Sequence, residues 1–277
     1  MDSHQASSAE RSPALSRRHI LFSTLISAPL GCRRPSALRA ASAGDGPAPG
    51  GGDPWGGLKV AHVSSMRDDQ RGGTAVILLH GWGAPGDDLL PLAKAMLRPQ
   101  ARFFVPAGPL PEVGGGRAWW HLDPHSRPPF AASDELPPGF VANPAVLAAR
   151  AAIQRLLETV VQRWAPDVIA LAGFSQGAML SLDVGLHAAP PVHRIAAMSG
   201  VLLQDSVAAL KTPRATPPAI LLSHGRQDPV VPFQAGARAR ELLEKNGLRV
   251  DWLPFDGGHE IPPVVIESVD AFLFPAR

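Results

Sequence analysis

The first place where chemistry can be read in this sequence is a serine set between two glycines. Residues 169–180 read IALAGFSQGAML, with Ser175 between Gly173 and Gly177. The apolar run ahead of it predicts a strand, and the residues after it predict a helix. G-x-S-x-G in that setting describes a sharp strand–turn–helix elbow. Glycines suit the elbow because two stretches of backbone must pass close together. The serine itself would be held in a strained conformation with its hydroxyl exposed. A purely structural turn is the plain alternative.

A serine hydroxyl is a weak nucleophile until a base takes its proton, and histidine is the usual base. The chain has ten histidines. His259, in FDGGHEIPP, follows the last expected strand and precedes the last expected helix, so its loop would share a sheet end with the elbow. His80 and His224 end strands and read as packed residues. His121 and His125 lie in an irregular loop and are candidates for a pocket. The base needs a carboxylate to fix its tautomer and stabilise its charged form. Asp228, in SHGRQDPVVP, follows the expected strand PAILLS and fills that place. Asp205 and Asp256 are rival acids, and Asp228 could instead only cap the turn before Pro229. The order Ser175, Asp228, His259 is the one expected of α/β-hydrolases. Attack on a carbonyl creates an oxyanion that needs backbone N–H donors. Gln176, directly after the serine, and Trp82, in HGWG, are the candidates. Trp119 and Trp120 read equally as walls of an acyl pocket and as core.

These residues need a frame. TAVILLHGWG is an apolar run ending in glycines, suited to a strand buried on both faces. DDLLPLAKAMLR follows with helical spacing and two Asp residues at its start. ARFFVP is a further strand. Asn143 and Pro144 resemble an N-cap and first helical residue, and Val146, Ala149, Ile153, Leu156, Val160 and Trp164 then mark one apolar helix face. DVIALAG, HRIAAMSG, PAILLSHG and RVDWLPF read as strands. SQGAMLSLDVGLHA, FQAGARARELLEKNG and PPVVIESVDAFLF read as the helices between and after them. Strict alternation predicts an α/β fold, a mainly parallel central sheet with helices on both faces. Pro106 to Asn143 breaks the rhythm. It is rich in proline and glycine, and an irregular loop of that length is disordered or functional.

The chain ahead of residue 58 has a different character. Arg17 and Arg18 precede a short apolar run, Ile20 to Leu30, the pattern of an export signal. The paired arginines resemble a twin-arginine signal, with Ile20 in the place usually held by Phe. Cys32 after Gly31 resembles a lipoprotein cleavage site with a lipid anchor, although Pro29 fits it poorly. Residues 1–43 therefore read as an export leader, residues 44–57 as a Gly/Pro-rich linker, and residues 58–277 as one folded domain. The expected location is outside the cytoplasm, periplasmic or lipid-anchored. The alternatives are a disordered extension or a mistaken start codon on a cytoplasmic protein.

Composition excludes several classes. The net charge is +2, but residues 1–40 hold six arginines against two acids. Of 26 basic and 24 acidic residues, 20 and 22 are left for the remainder, which is no footprint for nucleic acid. The single cysteine, Cys32, rules out intrachain disulfides and cysteine-rich metal sites. There is no H-E-x-x-H spacing, no tyrosine, and no apolar stretch of about 20 residues to span a bilayer.

The motifs LLHGWG, GFSQGAML, HGRQDPVVP and GGHEIP occur in order and at sensible spacing. Together they resemble the phospholipase/carboxylesterase family of α/β-hydrolases, which includes acyl-protein thioesterases. FVPAGPLPEVGGGRAWWHLD is similar to a bacterial branch of it. The resemblance covers roughly residues 58 to 277. It implies hydrolysis of small-molecule or lipid carboxylic esters, or of thioesters, with no cofactor or metal. It assigns the triad to Ser175, Asp228 and His259 and the oxyanion donors to Trp82 and Gln176. A serine peptidase, a polyester depolymerase and a non-catalytic binding protein on the same fold remain alternatives. Oligomeric state is not indicated.

Overall fold

A computed structural model describes residues 55, 57–122, 131, 133, 135 and 140–275. The leader with Cys32, most of the linker and His125 lie outside the described residues. The described chain holds strands β1 (Val60–Ser64), β2 (Thr74–Leu79) and β3 (Ala101–Pro106), with helix α1 (Leu90–Ala95) between the last two. A hairpin of two short strands follows, β4 (Leu110–Pro111) and β5 (Arg117–Ala118). Then come α2 (Pro144–Trp164), β6 (Val168–Phe174), α3 (Gln176–His187), β7 (Arg194–Met198), a short α4 (Val207–Leu210), β8 (Ala219–Gly225), α5 (Phe233–Lys245), β9 (Val250–Phe255) and α6 (Pro263–Leu273).

Seven strands form one sheet in the order β1-β3-β2-β6-β7-β8-β9. Every pair is parallel except β1 with β3. Side chains on a strand alternate between faces, and the core divides accordingly. Ile77, Leu79, Ile169, Leu171, Ile195 and Ile220 face α2, α3 and α5. Val76, Leu78, Ala170, Ala172, Met198 and Leu221 face α1 and α6. Helices thus cover both faces, as the alternating sequence implies. The edge strand β1 has no periodic sequence signature and was not expected. Its residues pair with β3 in register, Val60 opposite Pro106 and Ser64 opposite Arg102.

Three details refine the sequence reading. Asn143 caps α2, its Oδ1 accepting the Ala145 N–H at 2.9 Å, with Pro144 opening the helix. Packed chain reaches back to Trp55, whose ring stacks 6.2 Å from that of Trp164. Helix α1 is much shorter than its periodicity suggests and has no side-chain cap. Pro91 sits in its first turn, and a proline ring tolerates no helix running on ahead of it. Asp87 and Asp88 therefore fall in the preceding turn.

A buried ion pair joins α2 to α3. Arg150 donates to both carboxylate oxygens of Asp183, at 2.6 and 2.8 Å, and Ser206 Oγ donates to Asp183 Oδ1 at 2.7 Å. Asp183 is fully buried, so its charge depends on these donors.

Asp88 has only backbone N–H groups, its own and that of Leu89, to favour its charged form, and they do not outweigh burial. Its Oδ1 is buried without a partner among the described residues, and burial pushes its carboxyl up to about 6. An unfolded Asp titrates near about 4. Between those values the fold keeps a proton that the unfolded chain has released, so stability falls as pH rises from about 4 to about 6. Asp88→Asn is expected to raise the unfolding free energy at pH 7.5 by on the order of 2 kcal/mol and to change it little near pH 4. Urea denaturation at both pH values checks this, and destabilisation at pH 7.5 would contradict it.

Candidate active site

The elbow forms where β6 passes into α3. Ser175 has φ 53° and ψ −117°, a conformation that L-residues avoid and that persists only where the surroundings over-determine it. Here they do. A Cβ on Gly173 would overlap the backbone of Gly177, and a Cβ on Gly177 would overlap the carbonyls of Leu79 and His80. The Ser175 N–H donates to Met198 O at 2.9 Å, and Ser175 O accepts the Met179 N–H at 3.1 Å. The serine is thus fixed from both neighbouring strands and from its own helix.

Parallel β8 and β9 bring the other two residues to the same sheet end. Their following loops are stitched together, with the Arg226 N–H donating to Phe255 O and the Gln227 N–H to Gly257 O, at 2.9 and 3.0 Å. His259 Nε2 lies 2.9 Å from Ser175 Oγ, and His259 Nδ1 lies 2.7 Å from Asp228 Oδ2. A carboxylate can only accept, so Nδ1 carries the proton and Nε2 is left to accept from the serine hydroxyl. The Phe174 ring packs 4.7 Å from the imidazole.

Asp228 is buried, which by itself opposes ionisation more than any other single influence. Its partners outweigh that together. The His259 hydrogen bond and the backbone N–H groups of Val231 and Val230 hold its carboxyl below the ordinary range. Both backbone donors sit 2.8 Å from Oδ1. The rival acids are placed elsewhere. Asp205 accepts the Asn143 N–H at the start of α2. Asp256 is largely exposed and lies 3.5 Å from Arg226.

The loop after β2 lies against the serine, for a Cβ on Gly81 would sit 3.4 Å from Ser175 Cβ. His80 holds this loop. It is wholly buried, and burial lowers its pKa despite the opposing bond to Gly81. Its Nε2 accepts the Gly108 N–H at 2.8 Å, so Nδ1 bears the proton and donates to Gly81 O at 2.7 Å. That bond fixes one edge of the peptide whose other edge is the Trp82 N–H. Among the described residues neither the Trp82 nor the Gln176 N–H donates to a backbone acceptor, and the first N–H of a helix has none within it.

Gln176 also does something its backbone role did not suggest. Its side chain lies across the irregular loop, Oε1 accepting the Trp119 N–H at 2.9 Å and Nε2 donating to Trp120 O at 2.7 Å. Trp119 and Trp120 are 1% and 2% exposed and belong to the core. Packing there, together with the Trp119 Nε1 bond to His80 O, favours the core reading of these two residues over the pocket-wall reading. His224 is buried as expected, donating from Nε2 to Val231 O at 2.9 Å beside Asp228. Among the described residues no group of three or more His, Cys, Asp or Glu side chains is arranged to hold a metal.

A mainly parallel sheet with a strained serine at a strand–helix elbow defines an α/β-hydrolase. The chain belongs to the phospholipase/carboxylesterase family, which it matches over residues 60–275. It is 37% identical over 114 residues to acyl-protein thioesterase 1 of Gibberella zeae, covering 39% of this chain and 48% of that protein. It is 28% identical over 202 residues to acyl-protein thioesterase 1 of Kluyveromyces lactis, covering 68% and 83%. The alignments with the Gibberella and Neurospora crassa relatives span about half the length of those proteins. Among solved structures, esterase PE8 superposes with a TM-score of 0.65 at 27% identity, over 78% of this chain and 97% of that one. Zea mays acyl-protein thioesterase 2 shares the fold, with a TM-score of 0.56 at 20% identity over 78% and 97%.

The Gln176 clamp can be tested apart from any activity. Gln176→Ala leaves a buried N–H and a buried carbonyl without partners, at about 1–3 kcal/mol for each group. Urea denaturation is expected to show a loss of about 2 kcal/mol or more. An unchanged midpoint would mean that the clamp contributes nothing to stability.

Proposed function

We propose that the protein is a serine hydrolase of carboxylic esters, acting through Ser175, His259 and Asp228. The observation that carries this reading is the unbroken hydrogen-bonded chain from Ser175 Oγ through both ring nitrogens of His259 to Asp228. Ser175 Oγ attacks the acyl carbon as its proton passes to His259 Nε2. The oxyanion that forms is met by the N–H groups of Trp82 and Gln176. Asp228 stays ionised and steadies the imidazolium. His259 then gives its proton to the departing alcohol oxygen, leaving the acyl group on Ser175. Water loses a proton to His259 and attacks the acyl-serine. The carboxylic acid departs, and His259 returns the proton to Ser175.

Thioesters and lysophospholipid esters fit the same steps, with a thiol or a glycerol hydroxyl as leaving group. The names of the fungal relatives support including thioesters. Peptide and polyester hydrolysis share the chemistry, but no observation favours either. None of the steps above calls on a metal or cofactor, so turnover is expected to survive EDTA. We also propose export, on the strength of Arg17, Arg18 and the apolar run after them. A reporter carrying residues 1–43 tests it: retention in the cytoplasm would refute export, and unchanged export with both arginines replaced by Lys would refute the twin-arginine route. Loss of a lipid mass on Cys32→Ser tests the anchor.

Turnover of p-nitrophenyl esters, acyl thioesters and lysophospholipids tests the enzymatic reading. Ser175→Ala is expected to lower kcat by several orders of magnitude, leaving the residual catalysis of the oxyanion donors. Asp228→Asn is expected to lower it by about 10⁴ while the fold remains intact. Full activity in Asp228→Asn, with loss in Asp205→Asn or Asp256→Asn, would overturn the assignment of the acid.

A further inference from the structure

The loop that carries Trp82 is gripped by the β4–β5 hairpin. The Gly83 N–H donates to Arg117 O at 2.9 Å, and the Arg117 N–H donates to Ala84 O at 2.8 Å. Contact is close enough that a Cβ on Gly116 would overlap the Gly83 carbonyl. These bonds fix residues 83 and 84. Trp82 itself is tied by its side chain, the indole Nε1–H donating to Glu112 Oε1 at 3.1 Å. The same oxygen lies 2.8 Å from His121 Nδ1. The Glu112 side chain is 15% exposed and that of His121 is 65% exposed. A largely buried carboxylate therefore takes two donors, one of them the indole of Trp82. Neither the triad nor the oxyanion donors account for Glu112.

We propose that Glu112 is a positioning residue for the oxyanion hole, anchoring the Trp82 indole and so fixing the direction of the Trp82 N–H. The proposal rests on the ester-hydrolase reading. A backbone donor lowers the barrier only if it is aimed before the reaction begins, because reorienting it during the reaction costs what it would gain. His80 holds the carbonyl edge of the Gly81–Trp82 peptide. Without a second hold on the Trp82 side, that peptide can still tilt about its flanking torsions. Glu112 supplies the second hold, and His121 braces the carboxylate from the solvent side. The ground-state ester makes little use of the donor, so loss of the anchor should raise the barrier and leave substrate binding alone. Its signature is a fall in kcat at constant KM.

Steady-state hydrolysis of p-nitrophenyl butyrate by the full chain tests this with four variants: Glu112→Ala, Glu112→Gln, Trp82→Phe, and Trp82→Phe combined with Glu112→Ala. Removing a whole oxyanion donor costs about 10²–10³ in kcat, so misaiming one is expected to cost about 10–100-fold in Glu112→Ala, with KM within about twofold. Glu112→Gln keeps an acceptor for the indole and should recover part of the loss. The double variant should be no worse than the worse single one, since both remove one interaction. An alkylboronic acid, which forms a tetrahedral adduct on the serine, should bind Glu112→Ala more weakly by the factor lost in kcat/KM. Glu112→Gln and Trp82→Phe carry the test if the alanine variant fails to fold. Wild-type kcat in Glu112→Ala, or losses that multiply in the double variant, would overturn the proposal while the ester-hydrolase reading stands. A wild-type chain that hydrolyses no ester at all would bring down both.

Discussion

Beneath Ser175, helix α3 and strand β2 touch backbone to backbone. Gly177 lies against the carbonyls of Leu79 and His80, and Gly173 lies against Gly177. No side chain larger than hydrogen fits at either point. This contact holds the serine in its positive-φ conformation and brings the loop after β2 up beside it. Substitution at either glycine would separate the helix from the strand and release the strained conformation of Ser175.

The electrostatics around this contact divide into two kinds of buried group. His80 is neutral and structural, its tautomer set by the Gly108 N–H. It links the loop after β3 to the Gly81–Trp82 peptide through its two ring nitrogens. Asp228 is ionised and is kept so by two backbone donors and an imidazole. Chains of hydrogen bonds in a low-dielectric interior strengthen one another. His259 is consequently held in one tautomer and one orientation before any substrate arrives. The side chains of Gln176 and Glu112 extend this network outward, Gln176 to the backbone of Trp119 and Trp120 and Glu112 to the Trp82 indole.

Much of this arrangement was legible in the sequence because it depends on periodicity. Continuous apolar runs alternating with amphipathic segments imply a parallel sheet, and a parallel sheet puts the loops that follow its strands at one end. Ser175, Asp228 and His259 each follow such a run, so their meeting could be expected without coordinates. Features that depend on tertiary contact were not legible. β1 is a short edge strand without an alternating pattern. β4 and β5 are two residues each, and only pairing makes them strands. Trp119 and Trp120 could be read as pocket or core, and what decides is the helix and loop packed over them. The Gln176 side chain and Glu112 carry no motif of their own. The one available hint was that Glu112 and His121 lie in an irregular segment too long to be a mere connection.

The account stands on Ser175 being the group that attacks. Intact-protein mass spectrometry after exposure to an alkyl fluorophosphonate, followed by peptide mapping, tests this most directly. The account predicts one adduct per chain, on Ser175, and slower labelling when His259 is replaced by Ala. An adduct on another residue, or no adduct at all on the folded chain, would contradict it.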